Sequence, residues 1–109
     1  MGKFEVYQSN KDNKHYFNLK AGNGQVILTS QGYSGKSGCE NGIESVKENC
    51  SDDNCFERKE SKNGKFHFNL KSTNGQIIGR SQLYKDESGM ENGIESVKTN
   101  APDSEVDYV

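Results

Sequence analysis

The chain is written twice. Phe17-Asn18-Leu19-Lys20 returns as Phe68-Asn69-Leu70-Lys71, and Asn41-Gly42-Ile43-Glu44-Ser45-Val46-Lys47 returns as Asn92-Gly93-Ile94-Glu95-Ser96-Val97-Lys98, both at an offset of 51 residues. Between these blocks Asn23-Gly24-Gln25 matches Asn74-Gly75-Gln76, Ser30-Gln31 matches Ser81-Gln82 and Tyr33 matches Tyr84, without a gap. Upstream, Phe4-Glu5 matches Phe56-Glu57 at an offset of 52, so the second copy is one residue shorter in its first turn, where a deletion is tolerated. A fixed period of this length marks a duplicated supersecondary unit. The 109 residues read as one domain, 1–109, built of repeat one (1–53) and repeat two (54–109), because a chain this short holds a single ordinary core.

That core is lean. Leu, Ile, Val and Phe supply 20 of the 109 residues, and the formal charge is only −2; low charge and periodic clustering of the apolar residues separate such a chain from a disordered one. Acidic and basic residues alternate without a long run of either sign, which leaves no electrostatic footprint for duplex nucleic acid or an anionic membrane. No segment approaches the roughly 18 apolar residues of a membrane span, and the N-terminus has no apolar signal core, so a cytoplasmic protein is expected. Cys39, Cys50 and Cys55 form neither a Cys-x-x-Cys pair nor a Cys/His quartet, which argues against disulfide and zinc frameworks. No cofactor is expected.

Each repeat predicts three strands, a helix and a closing strand. Phe4 to Gln8 and His15 to Lys20 are β-rich runs separated by turn residues, with Asn63-Gly64 in the equivalent turn of repeat two. The next turn, Gly22-Asn23-Gly24 or Thr73-Asn74-Gly75, suits a three-residue loop whose last Gly takes positive φ. That register sets Leu19 opposite Ile27 and Leu70 opposite Ile78, with Phe17 and Phe68 on the same buried face. Ser37-Gly38-Cys39-Glu40 and Ser88-Gly89-Met90-Glu91 read as capping boxes that open the helices. Cys39, Ile43, Val46 and Cys50, like Met90, Ile94, Val97 and Ala101, then follow at helical spacing as one apolar stripe. A mid-helix Gly costs about 1 kcal/mol against Ala, so Gly42 and Gly93 point to close packing of helix on strand. Asn49 and Asn100 are expected to end the helices in left-handed geometry, with closing strands near Cys55 to Lys59 and Glu105 to Val109.

The Asn-Gly-Gln hairpin, the Ser-Gln-x-Tyr segment and the Asn-Gly-Ile-Glu-Ser-Val-Lys helix, present in both halves, resemble the YegP family of uncharacterised bacterial and archaeal proteins. The resemblance implies an α+β fold: two tandem β3-α-β repeats forming a single antiparallel sheet with two helices on one face and exchanged closing strands. It implies no activity. A monomer with pseudo-two-fold symmetry is expected.

The motifs that look chemical have structural explanations. Ser34-Gly35-Lys36-Ser37 resembles the tail of a phosphate-binding loop, but the required upstream Gly is Ser30, and the second copy reads Lys85-Asp86-Glu87-Ser88. His15 aligns with Phe66 and His67 with Tyr16, so an aromatic replaces each histidine in the other copy. Cys39, Cys50 and Cys55 align with Met90, Ala101 and Val106, the positions of small buried hydrophobes. Glu44 and Lys47, like Glu95 and Lys98, stand three apart and suit exposed helix ion pairs. No residue set for catalysis emerges.

One surface remains, the strand face bearing Tyr16, Asn18 and Lys20 and its copy His67, Asn69 and Lys71. Aromatic, amide and cation alternating along a strand form a platform that can grip a polar ligand or stack bases. The expectation is a small non-catalytic interaction or ligand-binding module whose partner is a protein or a small polar ligand. Weak single-stranded nucleic-acid binding on that face is the alternative.

Overall fold

Alternation of apolar and polar residues sets the first hairpin. In the computed structural model, which describes residues 2–109, β1 (Lys3–Gln8) pairs antiparallel with β2 (His15–Lys20), placing Phe4 opposite Leu19 and Val6 opposite Phe17 on one face. All four are buried. In repeat two, β4 (Phe56–Glu60) and β5 (Phe66–Lys71) set Phe56 opposite Leu70 and Arg58 opposite Phe68. The third strands, β3 (Val26–Thr29) and β6 (Ile77–Arg80), follow turns in which Gly24 and Gly75 take φ of 85° and 87°, a region open to glycine.

The register of these third strands differs from the sequence expectation. Leu19 faces Leu28, not Ile27, and Leu70 faces Gly79, not Ile78, because a bulge follows Leu19 and Leu70. Ile27 and Ile78 fall within the bulges and remain buried. An extra residue at a bulge lets neighbouring side chains share a face that strict alternation would divide.

The seven strands form one sheet in the order β4-β5-β6-β3-β2-β1-β7, with β7 at Glu105–Tyr108. Thr29 of β3 pairs with Arg80 of β6, its own equivalent 51 residues on. A residue that pairs antiparallel with its own copy lies on a two-fold axis, so the repeats are related by a pseudo-two-fold through the sheet centre. The sheet is mixed rather than wholly antiparallel, since β7 runs parallel to β1. After the first helix, the closing strand of repeat one and the first strand of repeat two are a single segment, β4. They share one direction by necessity. Symmetry imposes the same direction at the other edge, where the corresponding strands are separate pieces of chain and therefore lie parallel.

Both helices, α1 (Lys36–Asn49) and α2 (Glu87–Asn100), bury their stripes on the same face in one core with the strand residues. The stripe in α1 is Cys39, Ile43, Val46 and that in α2 is Met90, Ile94, Val97. Adding a Cβ to Gly42 would bring it within 2.6 Å of the Tyr33 hydroxyl and 2.9 Å of Phe17, and Gly93 is similarly closed by Tyr84 and Phe68. The glycines are the contact points of helix on sheet.

The helix ends correct two expectations. Ser37 and Ser88 lie inside the first turns rather than capping them: α2 is capped by Asp86, whose carboxylate accepts from the Gly89 amide at 2.7 Å, and α1 starts after Gly35 without a side-chain cap. Glu40 and Glu91 are thereby free to act elsewhere. Neither Asn49 nor Asn100 is left-handed; each turns its side-chain amide back to the carbonyl four residues earlier, Ser45 or Ser96, at 2.8 Å, and short 3-10 turns lead on to β4 and β7. Lys98 reaches Glu95 at 3.6 Å as the spacing implied, whereas Lys47 lies over the Phe4 ring at 5.9 Å.

Candidate ligand-binding face

The helix-free face of the sheet carries the residues that alternate with the core. Tyr16, Asn18 and Lys20 line up on β2, and His67, Asn69 and Lys71 on β5, but the two sets have different surroundings. In repeat one the set is internally satisfied. Tyr16 stacks on Tyr7 with ring centroids 5.8 Å apart and donates to Asp12 at 2.7 Å. That hydrogen bond raises the Tyr16 phenol and lowers the Asp12 carboxyl. Asn18 accepts from Thr29 at 2.9 Å, and Lys20 pairs with Glu5 at 2.9 Å, which holds the Glu5 carboxyl below its usual range.

In repeat two, Glu57 takes the place of Glu5. It accepts from Asn69 at 3.1 Å and pairs with Lys71 at 3.0 Å, and these two contacts, in that order, lower its carboxyl. Both lysines that a nucleic-acid strand would need are thus engaged by glutamates. The stacked tyrosines have no counterpart here, since Tyr7 and Tyr16 are replaced by Lys59 and His67. Lys59 and His67 leave an open cavity of about 490 Å³, lined by them with Asn69, Arg80 and Thr29.

His67 has a buried Nδ1 with no hydrogen-bond partner. Burial first, then the Arg80 and Lys59 cations, push its imidazole below the ordinary value of 6.5, so the ring is neutral at pH 7. Arg80 enters none of the ion pairs among the described residues. A cation without a counter-ion beside an imidazole nitrogen without a partner suits an anionic group. Of the six residues singled out in the sequence, His67 and Asn69 line this cavity; Tyr16, Asn18, Lys20 and Lys71 do not. Lys59, Thr29 and Arg80 were not singled out. Their signal was the difference between repeats at aligned positions, Tyr7 against Lys59 and Thr29 against Arg80.

The thiols do not join the site. Cys39, Cys50 and Cys55 are free and buried, and burial raises all three. Among the described residues no three His, Cys, Asp or Glu side chains gather as a metal site, and no helix is long and apolar enough to cross a membrane.

A duplicated β3-α-β unit that shares one sheet, with both helices on one side and an open polar face on the other, defines the class: a tandem-repeat α+β protein. The chain belongs to the family described as Domain of unknown function (DUF1508), whose profile matches twice, at residues 10–57 and 61–107. It is 54% identical over 105 residues to the UPF0339 protein in ptx operon 5'region of Stutzerimonas stutzeri, covering 96% of this chain and 94% of the relative. It is 50% identical over 99 residues to the UPF0339 protein YegP of Escherichia coli K12, covering 91% and 89%. The solution NMR structure of E. coli yegP, a protein of unknown function, superposes with a TM-score of 0.92 at 48% identity, covering 98% of this chain and 91% of that one. That of UPF0339 protein SO3888 from Shewanella oneidensis gives 0.92 at 45% identity, covering 98% and 90%. These relatives are uncharacterised, and no catalytic or specific function is attached to them.

Proposed function

We propose that this protein is a non-catalytic binding module whose helix-free face takes a small polar ligand with an anionic group, seated against Lys59, His67, Asn69 and Arg80. The observation that carries this reading is a cavity of about 490 Å³ whose lining brings His67 and Asn69 together with Lys59 and Arg80, Arg80 having no ion-pair partner among the described residues. A ligand anion there gives Arg80 a counter-ion. The reading as non-catalytic is supported by the thiols, which burial keeps protonated and away from solvent. Three free cysteines also fit a reducing compartment, in keeping with a cytoplasmic location. The two repeats act as one unit in this reading, since the cavity draws on β3 of repeat one and β4 to β6 of repeat two, and a monomer remains the expectation.

The test is a two-dimensional NMR titration with inorganic phosphate and with succinate. Saturable shifts confined to Lys59, His67, Asn69 and Arg80 are expected, with the His67 pKa raised on saturation and affinity reduced about tenfold in Arg80→Ala. Shifts spread evenly over surface lysines, or an unmoved His67, would remove the basis for the reading. A parallel titration with mixed-sequence single-stranded RNA is expected to give no binding that depends on Lys20 and Lys71, because Glu5 and Glu57 neutralise both.

A further inference from the structure

On the opposite face a second cavity, of about 330 Å³, lies between α1 and the β5–β6 turn of the other repeat. Gln31, Asn41 and Gln76 line it together with Tyr33 and Ser45. Three of these residues take no part in the turns or caps, although the Gln31 side chain lies against the Tyr33 phenol. Gln31, Asn41 and Gln76 are exposed amides whose side chains make none of the hydrogen bonds of the turns or caps. Their neighbours do have duties: Asn74 closes its turn on the Gln76 amide, and Ser45 receives the Asn49 side chain.

The pseudo-two-fold maps this group onto Gln82, Asn92 and Gln25, with Tyr84 in the place of Tyr33, and every residue is the same in the two copies. Nearby positions have diverged: Gly22 aligns with Thr73, Ser34 with Lys85, Gly35 with Asp86 and Lys36 with Glu87. The Tyr84 hydroxyl, in the second group, is buried with the Gln82 side chain beside it, as Gln31 stands beside Tyr33. Exposed amides that fold no turn, line a groove and recur in both copies are placed for a molecule outside the chain.

We propose that these two symmetry-related grooves are binding sites for a neutral, hydroxyl-rich ligand, a saccharide. No charged side chain lines the first groove, so it offers nothing to a phosphate or carboxylate. A carboxamide presents two donors and an acceptor with two lone pairs, which match adjacent sugar hydroxyls that each donate and accept. The volume lies at the lower end of the range for small-molecule sites, the size of one or two sugar rings. Because each groove is built by a helix of one repeat and a hairpin of the other, only the paired repeats create them. This inference is independent of the anion cavity on the other face.

The experiment is NMR titration of the full chain with maltotriose, cellotriose and the N-acetylglucosamine trimer, with phosphate as a control for the other face. At least one sugar is expected to shift Gln31, Asn41 and Gln76 together with Gln82, Asn92 and Gln25, with two ligands bound per chain and no displacement by phosphate. Asn41→Ala is expected to remove one site and Asn41→Ala/Asn92→Ala both, with thermal unfolding unchanged and phosphate-induced shifts at His67 intact. Absence of saturable shifts with all three sugars, or sugar binding that survives the double variant, overturns the proposal.

Discussion

Leu28 and Gly79 occupy equivalent positions in the two repeats and meet at the pseudo-two-fold axis, where a Cβ placed on Gly79 would lie 2.7 Å from Leu28. Two leucines related by the axis would claim the same volume. One repeat keeps the side chain and the other gives it up, so the duplicated chain does something that two identical units could not. Gly79→Leu is expected to destabilise the fold by about 1–3 kcal/mol through overpacking, and Leu28→Gly by about 3–5 kcal/mol through the cavity and the added chain entropy. The exchange Leu28→Gly/Gly79→Leu is expected to recover most of the loss, measured by urea unfolding. Additive losses in the double variant would show that the two residues do not share the space.

Arg58 takes over the part played by Tyr108. Tyr108 of β7 donates to Glu40 on α1, and Arg58 of β4 grips the equivalent Glu91 on α2 through two nitrogens, at 2.5 and 3.0 Å. Among the described residues no strand pairs with the outer edge of β4, and Arg58 stands where Val6 does in repeat one. A charge turned inward at an edge strand discourages pairing with another molecule. Arg58→Val is expected to cost under about 1 kcal/mol, as for an exposed ion pair, yet to cause concentration-dependent association in sedimentation velocity. A variant that stays monomeric at every concentration tested would show that the edge needs no guard.

All three thiols are expected to react slowly with a thiol reagent in the folded protein and fast after denaturation, since Cys39 and Cys50 are fully buried and Cys55 is 6% exposed and the thiolate is the reactive form. Prompt stoichiometric labelling under native conditions would contradict the packing.

Acid is expected to unfold the protein in two stages. His67 has a folded pKa below its ordinary 6.5, so the folded state resists the proton that the unfolded chain accepts, and stability begins to fall as pH drops through that value. Asp53, held down by Arg58 and then Lys98, Glu91, held down by Arg58, and Glu57, held down by Asn69 and Lys71, are also lowered. Their contribution is present above the unfolded carboxylate pKa of about 4 and is lost below it. Urea midpoints measured between pH 8 and pH 3 test this. His67→Tyr, the repeat-one arrangement, is expected to flatten the upper stage only; an unchanged profile would assign that stage elsewhere.

Neither half alone, 1–53 or 54–109, is expected to persist as a folded monomer. Division removes the β3–β6 pairing and strips β7 from β1, leaving open edges on a chain of marginal core size. Sedimentation and circular dichroism of each half test this; a cooperatively folding monomeric half would show the repeats to be independent.

The repeat was legible in the sequence because its two copies can be compared position by position, which also marked the two helix glycines. The strand alternation and the helix stripes were legible because each depends on contacts within about a dozen residues. The positive φ at Gly24 and Gly75 was legible for the same reason. The capping boxes were misread because Ser-x-x-Glu fits the pattern while α2 starts two residues earlier, capped by Asp86 on the Gly89 amide, and Tyr108 and Arg58 draw Glu40 and Glu91 outward. His67 and Asn69 could be named from alternation, but Lys59, Thr29 and Arg80 join them only because distant strands become neighbours.

By itself the sequence determined the unit, its elements and which face of β2 and β5 is buried, through local periodicity and turn chemistry. Tertiary structure decided the bulged register of β3 and β6, the parallel seat of β7 and the union of residues from both repeats at each cavity. Those features depend on how two copies fit around one axis. At such an axis the space left by Gly79 belongs to Leu28, a relation fixed by packing between segments 51 residues apart and written in neither segment alone.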